Sequence, residues 1–332
     1  MAKGSMSDIF EVIRYKVIYQ NSWNDFVSRA QNTTFLFHRN FMDYHSDRFE
    51  DYSAMIYSEN ELIAIFPANK KDNKIYAHAG LTYGSLAVNH FFDPSKCHIL
   101  FNHLLHYYHK QGFGQLIYKE IPVFYQENRN FSLFLVENAG LYQIMQEEDI
   151  GAVIDLQNAI HFWHGRWQNI KKAEKLNLSI ITSETNKPYL LFKDFWEEVL
   201  VPNLKNKYNL LPTHTLDEIA LLASRFPTHI KQYNVYYEGK IIAGTTIFED
   251  KKVAHCQYIA STDLGKSLYA TDFLFHHLIT QKYKDFNYFS FGISNEHGSK
   301  KVNEGLLRWK MSWGAQVCKH NHFFLQLDSV HI

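Results

Sequence analysis

The chain has 332 residues, of which 46% are hydrophobic and 16% aromatic, and its formal net charge is zero. This length allows two domains with large cores, and the zero net charge argues against a dedicated binder of nucleic acid or of anionic membranes. No run of about 18 apolar residues and no secretory signal is visible, and Cys97, Cys256 and Cys318 have no metal-like spacing, so we expect a reduced, cytoplasmic protein without a metal site.

The first half predicts a strand meander followed by a helix and a further strand. An early helical stretch, HRNFMDYH, carries His38, Arg39, Asp43 and His45. From Met55, the segment MIYSENELIAIFPANKKDNKIYAHAGLTYGSL predicts hairpins closed by SEN and KKDNK, then a glycine-bearing loop. The apolar segment CHILFNHLLHYYHKQG predicts a helix, and QLIYKEIP predicts a strand.

The connection between the halves, NAIHFWHGRWQNIKKAEKLNL, is helical in pattern and basic. We therefore expect a domain boundary just before it, near Asp155. Its basic residues are Arg166, Lys171, Lys172 and Lys175. They either contact a nucleotide diphosphate or tRNA, or form a solvated helix face.

The second half repeats the order of the first. From Val235, the segment VYYEGKIIAGTTIFEDKKVAHCQYIASTDLGKSL predicts hairpins closed by EG and EDKK and a loop with Gly265. The apolar helix ATDFLFHHLITQKY and the strand FNYFSFGI follow. A matched order over roughly 80 residues indicates two copies of one α/β (α+β) unit, each with a mixed, mainly antiparallel sheet flanked by helices. We place the domains at residues 7–154 and 155–330.

Candidate catalytic residues lie on two predicted strands. In KVAHCQYIAS, alternation places His255, Gln257 and Ile259 on one face and Cys256 on the other. His255 is either a base or a core histidine. Asn295 and Glu296 follow FNYFSFGI, at the strand end where open α/β sheets bind ligands. The alternatives are a turn role for Asn295 and a solvated carboxylate for Glu296.

The segment VNEGLLRWKMSWGA predicts a last helix that ends at Gly314. The apolar residues at helical spacing are Val302, Leu306, Trp309 and Trp313. We interpret the two tryptophans as core residues. Lys310 lies off this stripe and is either a partner for a substrate phosphate or a surface lysine.

The order of strand meander, loop, helix and strand resembles the acyl-CoA site of the GNAT acyltransferase superfamily. The chain is similar to tandem-GNAT proteins related to the Fem family of peptidoglycan aminoacyltransferases, from about Trp23 to Val317. The stretches that carry the resemblance are TFLFHRNFMDYHSDRF, HAGLTYGSL, GRWQNIKKAEK, GKIIAGTTIFE, AHCQYIAS, FGISNE and NEGLLRWKMSWGA. The resemblance implies two tandem GNAT-like domains.

The resemblance also implies that the loop DLGKSLYA receives the acyl-CoA pyrophosphate on its backbone amides. The implied cofactor-binding residues are Ile259, Ser261, Gly265, Lys266, Ser267 and Ala270. An ordinary turn is the alternative. We expect Gly265→Glu to abolish CoA binding and leave the fold largely intact. The counterpart GLTYGSLAVNHFFDPSKC is longer and lacks a basic residue before its helix, so we expect acyl-CoA only in the second domain.

Two departures from the resemblance bear on function. No long heptad pattern indicates the helical hairpin often found in Fem enzymes that use aminoacyl-tRNA. Ser290 stands where these relatives often have the aspartate of Asp-Phe-Gly-Ile. We expect a CoA-dependent N-acyltransferase that modifies a nucleotide-linked amino sugar for cell-envelope polysaccharide and that binds neither nucleic acid nor a membrane. The rivals are a Fem-like aminoacyl-tRNA transferase acting on a peptidoglycan precursor and a non-catalytic GNAT-like binding module.

We expect the acceptor to contact His38, Tyr83, Gln257 and Lys310, between the two halves. Acyl transfer needs a neutral amine, a stabilised oxyanion and a leaving thiolate. Proton removal is assigned to His255 or Glu296, or to water between them, with Asn295 nearby. His255 has an intrinsic pKa of about 6.5, close to working pH.

Overall fold

The computed structural model describes residues 10–126, 144–184, 188–296 and 298–327. The chain divides into two compact units, Met1–Asp149 with Lys319–Ile332, and Ile150–Cys318. The first unit thus includes the C-terminal segment, which the sequence-based division assigned to the second domain. The predicted domain limits at residues 7 and 330 lie outside the described residues.

Groups of strands are separated by helices along both halves. The strands are β1 (Glu11–Arg14), β2 (Glu50–Asp51), β3 (Ala54–Ser58), β4 (Glu61–Phe66), β5 (Asn69–Lys71), β6 (Lys74–Tyr76), β7 (Ala87–Val88), β8 (Gln115–Lys119), β9 (Ile144–Asp155), β10 (Leu178–Thr182), β11 (Ile230–Tyr237), β12 (Lys240–Asp250), β13 (Val253–Ser261), β14 (Tyr288–Ile293) and β15 (Gln316–Gln326). The α-helices are α1 (Gln20–Arg29), α2 (Arg39–Met42), α3 (Cys97–Lys110), α4 (His164–Ala173), α5 (Pro188–Asp194), α6 (Val201–Tyr208), α7 (Leu216–Arg225), α8 (Asp263–Ser267), α9 (Ala270–His277) and α10 (Glu304–Met311). Two π-helical segments, Phe195–Leu200 and Leu278–Lys282, continue α5 into α6 and extend α9.

In the first unit, the predicted hairpins form but belong to different sheets. The β3–β4 hairpin joins β1 and β7, and the β5–β6 hairpin joins β2, β8 and β15. Glu59 and Asn60 close the first turn and Asp72 the second, each with positive φ, as tight turns require. Helix α3 buries one stripe, because Leu100, Leu104 and Tyr108 recur at a spacing of four residues.

In the second unit, the strand order is β10-β11-β12-β13-β14-β9. All neighbouring strands are antiparallel except the parallel pair β13 and β14, and α9 lies between these two in the chain. The first unit has the same arrangement, with α3 between the parallel strands β6 and β8. The predicted repeat of strand, loop, helix and strand is therefore present in both units. In the second unit, the parallel strands β13 and β14 form the centre of the sheet and position the site.

Two buried histidines give the first unit a sensitivity to acid. His45 and His78 stack with ring centroids 5.2 Å apart, and neither buried Nδ1 atom has a hydrogen-bond partner among the described residues. Burial lowers the pKa of His78 well below its ordinary value, and neighbouring His45, Arg39 and Lys119 lower it further. Burial also lowers the pKa of His45.

Acid should therefore destabilise the wild-type protein more than a variant that lacks one of these two buried histidines. The unfolded histidines bind protons at a higher pH than the folded ones, so stability falls as pH drops from about 6.5 towards the lower folded pKa values. We expect stability to fall between pH 6.5 and 5.5, and His78, whose pKa is lowered the more, to account for most of the loss. Urea unfolding at pH 7.5 and 5.5 should show a smaller pH effect in His78→Asn, which tolerates the positive φ of this position. Equal pH effects in the two proteins would contradict this prediction.

Candidate functional site

The parallel strands β13 and β14 open at their carboxyl ends. Their paired residues run only from Val253 to His255 on β13 and from Tyr288 to Ser290 on β14. Both strands continue beyond this ladder, to Ser261 and Ile293. A gap between two central strands is a place where a ligand can reach backbone groups inside the sheet.

A bulge lies on β13 just beyond its last residue paired with β14. The register against β12 pairs Thr246 with Tyr258 but Ile247 with Cys256, so Gln257 is the extra residue. A bulge residue is left out of the ladder and re-aims the strand, a common feature beside active sites. The predicted common face for His255, Gln257 and Ile259 is wrong for this reason. Ile259 packs against the core cluster that contains Cys256, on the side opposite to His255.

His255 lies beside the end of β14. Its Nδ1 atom is 3.1 Å from the Ser290 hydroxyl oxygen, and the Gly292 amide donates to the same hydroxyl at 3.2 Å. Gly292 has a φ of +67°, and a Cβ there would lie 3.2 Å from the His255 ring. The glycine therefore permits both the left-handed backbone and the approach of the imidazole. The His255 ring is held by its contact with Ser290 of β14. The residue is half-buried, so part of it is open to solvent.

Lys310 holds the same strand end from α10. Its side chain is only 2% exposed, and its Nζ atom donates to the carbonyl oxygens of Gly292 at 2.9 Å and Ile293 at 2.6 Å. Burial lowers the pKa of this amine to about 8. The alternative of a surface lysine is thus wrong, because the ammonium faces inward, and its hydrogen bonds go to backbone carbonyls. Its contact with a substrate phosphate stays a prediction.

The other two catalytic candidates occupy a turn after β14. Asn295 accepts from the Ile150 amide at 2.7 Å and donates to the Lys300 carbonyl at 3.1 Å, which ties the turn to β9. Glu296 is exposed and forms an ion pair with Lys301 at 3.1 Å. These contacts favour the turn role for Asn295 and the solvated carboxylate for Glu296.

The predicted CoA loop is a capped helical turn. Thr262 precedes α8 and accepts from the Gly265 amide at 3.0 Å. A Cβ on Gly265 would lie 2.2 Å from the Ile242 carbonyl oxygen of β12 and 2.5 Å from the Ser261 hydroxyl. Close packing on β12 therefore requires the glycine, and the expectation that Gly265→Glu leaves the fold intact is wrong.

The remaining residues of this turn are placed by local contacts. Lys266 pairs with Asp263 at 2.7 Å on the surface, and the Ser267 hydroxyl donates to the Leu264 carbonyl. Ala270 is fully buried at the start of α9. Their contacts with CoA, like those of Ile259 and Ser261, stay predictions.

Two predicted acceptor residues belong to the first unit. His38 precedes α2, and its Nδ1 atom accepts from the Asn40 amide at 3.2 Å. Tyr83 is buried and donates to the Thr34 hydroxyl at 3.0 Å. Contacts of these residues and of Gln257 with an acceptor stay predictions.

Sequence reasoning missed a cleft between α4 and α10 in the second unit. The cleft has a volume of about 450 Å³ and is lined by Trp163, Arg166, Arg308 and Trp309. Arg166 forms a largely buried ion pair with Asp272 of α9 at 2.7 Å, so the cleft adjoins the helix that leads towards β14. An available signal was the pair of helical glycines, Gly165 and Gly305, that also line it.

Within the described part of the chain, no three or more His, Cys, Asp or Glu side chains are grouped so that they could hold a metal ion. The helices of that part are too short or too polar to cross a membrane.

Several solved structures have the same fold. FemX superimposes with a TM-score of 0.66 at 10% identity, over 96% of this chain and 98% of that chain. A conserved protein of unknown function from Bacteroides thetaiotaomicron gives 0.60 at 10% identity, over 96% and 100% of the two chains. L-PGS from Bacillus licheniformis gives 0.56 at 11% identity, over 86% and 91%. No protein-family model matches the sequence, and no curated protein matches it significantly. The predicted α/β fold of two similar units, each with a mixed, mainly antiparallel sheet, is confirmed, and the activity must be argued from the site.

Proposed function

We propose that this protein is an N-acyltransferase whose second unit joins an acyl group from acyl-CoA to the amine of a nucleotide-linked amino sugar. The observation that carries the proposal is the open end of the β13–β14 pair. There the bulge at Gln257 and the cluster of His255, Ser290 and Gly292 adjoin one gap in the sheet.

This geometry supplies the parts that acyl transfer requires. The amine nitrogen attacks the thioester carbonyl carbon, a C–N bond forms, and the carbonyl oxygen becomes an oxyanion. A backbone amide released from the ladder at the bulge donates to this oxyanion. The C–S bond then breaks and CoA leaves as the thiolate. The amine proton passes to His255, directly or through water.

Donor and acceptor are inferred from weaker features of the chain. The zero net charge and the missing heptad pattern favour a small donor such as acyl-CoA over charged tRNA. The high aromatic content suits stacking on sugars and bases. The acceptor is therefore assigned as an amino sugar carried on a nucleotide.

The test is release of free thiol by the full chain, incubated with acetyl-CoA and UDP-linked sugars that carry a free amine. Release should require both substrates, and mass spectrometry should show the acylated sugar. If turnover instead requires charged tRNA and is lost on ribonuclease treatment, the protein is an aminoacyl-tRNA transferase. If neither donor supports turnover, the fold serves as a binding module and the proposal is wrong.

A further inference from the structure

The cleft between α4 and α10 has walls that are fixed before any ligand arrives. The Trp163 amide donates to the Ser312 carbonyl at 3.0 Å, which joins the start of α4 to the end of α10. Arg166 donates to the Ser312 hydroxyl at 2.7 Å and pairs with Asp272 at 2.7 Å. Pre-formed concave sites of this kind bind ligands without a cost for ordering their walls.

Two glycines keep this cleft open although the fold does not require them. A Cβ on Gly165 would meet no atom within 4 Å, and one on Gly305 would meet only the Asn303 side-chain oxygen, at 3.6 Å. Neither glycine has the positive φ that would exclude other residues. Glycine is unfavourable in a helix relative to alanine. Gly265, by contrast, is required by packing. The missing side chains at Gly165 and Gly305 therefore leave free space in the cleft that packing of the fold does not require.

The side chains around this space are suited to stack on a flat ring and to pair with an anion. Trp163 is 46% exposed, and the Arg308 guanidinium lies 5.9 Å from its ring. Among the described residues, no carboxylate forms an ion pair with Arg308, whereas the charge of Arg166 is balanced by Asp272. Trp309 adds a second aromatic wall. An exposed indole beside an arginine without an acidic partner suits a stacked base with a phosphate.

We propose that this cleft binds a nucleoside phosphate, with its base on Trp163 and its phosphate on Arg308. The inference rests on the proposed function, because acyl-CoA and a nucleotide-linked acceptor each carry such a group. The 3′-terminal adenosine of tRNA carries it as well. The chemistry recognised by the cleft is shared, and the source is decided by experiment.

The experiment measures binding to the full chain by calorimetry with CoA, UDP-N-acetylglucosamine and a short RNA ending in CCA. Gly305→Leu fills the cleft, and Gly305→Ala adds only one methyl group to it, so the two variants reduce the free space by different amounts. We expect at least one probe to bind, Gly305→Leu to weaken that probe at least tenfold, and Gly305→Ala to weaken it less. Neither variant should melt earlier than the wild type, since a Cβ at this position meets only the Asn303 side-chain oxygen, at 3.6 Å, and glycine is unfavourable in a helix.

The charge is tested by Arg308→Gln, with Lys205→Gln, an exposed lysine on α6, as the control. Loss of a charge-assisted contact should weaken binding about 10- to 100-fold in Arg308→Gln and leave it unchanged in Lys205→Gln. A probe that binds the wild type and is weakened in Arg308→Gln supports the cleft, and its identity gives the source of the nucleoside phosphate.

The cleft proposal fails if no probe binds the wild type more tightly than about 1 mM, or if Gly305→Leu and Arg308→Gln bind as the wild type does. The experiments distinguish failure of the cleft proposal from failure of the proposed function. Acyl transfer that is unchanged in Gly305→Leu overturns the cleft alone. Nucleotide binding that is lost in Gly305→Leu, together with a wild type that transfers no acyl group, overturns the acyl transfer alone.

Discussion

His255→Asn should lower turnover by about 10²–10⁴-fold and change the affinity for CoA little, because it removes the group that takes the amine proton. Asparagine keeps a polar side chain at the strand end, near the Ser290 hydroxyl, but it cannot accept a proton near neutral pH. The measurement is the pH–rate profile under saturating acyl-CoA. The acidic limb of the wild-type profile should disappear in the variant.

The control for His255→Asn is Glu296→Gln. Glu296 is exposed and paired with Lys301, so its replacement should leave both rate and profile near those of the wild type. If both variants keep the wild-type rate and the same acidic limb, neither side chain is the base. In that case the amine loses its proton to solvent before it binds.

Lys310→Met should lower turnover at least tenfold, because it removes the two donors that hold the end of β14. Methionine has a similar length and fills the site, but the Gly292 and Ile293 carbonyls lose a partner, at about 1–3 kcal/mol for the buried Gly292 carbonyl and less for the partly exposed Ile293 carbonyl. Part of this cost is offset because burial of the ammonium is itself unfavourable, as its lowered pKa of about 8 indicates. The change in unfolding free energy should therefore be smaller than the two lost hydrogen bonds suggest.

The pH dependence of stability distinguishes the effect of the Lys310 charge from the effect of its packing. The pKa of Lys310 is about 8 in the folded chain and 10.5 for a free lysine. Between these values the unfolded chain binds more protons, so this group makes stability rise with pH, by up to about 3 kcal/mol. Urea unfolding at pH 7.5 and 9.5 should show this gain in the wild type and a smaller one in Lys310→Met. The same pH dependence in both proteins would contradict a strongly lowered pKa.

Local features of the fold were predictable because short segments determine them. Turns at Glu59–Asn60 and Glu238–Gly239 need residues that accept positive φ, and hairpins were predicted at both places. The last helix was predicted from its spacing and from Gly314, whose φ of +79° ends the segment. The order of elements then indicated the repeated unit.

Features that depend on a distant partner were not predictable from the sequence. The bulge at Gln257 is set by the register against β12, which alternation along β13 alone does not show. Gly265 resembled a phosphate-binding glycine. The position requires glycine because the Ile242 carbonyl, on another strand, leaves no room for a Cβ atom. Lys310 lies off the apolar stripe of its helix, yet β14 covers it. The cleft joins Trp163 and Arg308 from segments far apart in the chain.

The division of the chain has a consequence for the order in which it folds during synthesis. The second unit is one continuous segment, Ile150–Cys318, whereas the first needs residues from both ends. Phe323 and Leu325 of β15 lie in the core of the first unit, where β15 pairs with β8. A nascent chain that has reached Cys318 therefore holds every residue of the second unit, while the first unit, although made earlier, still lacks a strand. Domains generally fold as units from the N-terminus onwards during translation. Here the first unit must wait, with apolar surface uncovered, until β15 has left the ribosome.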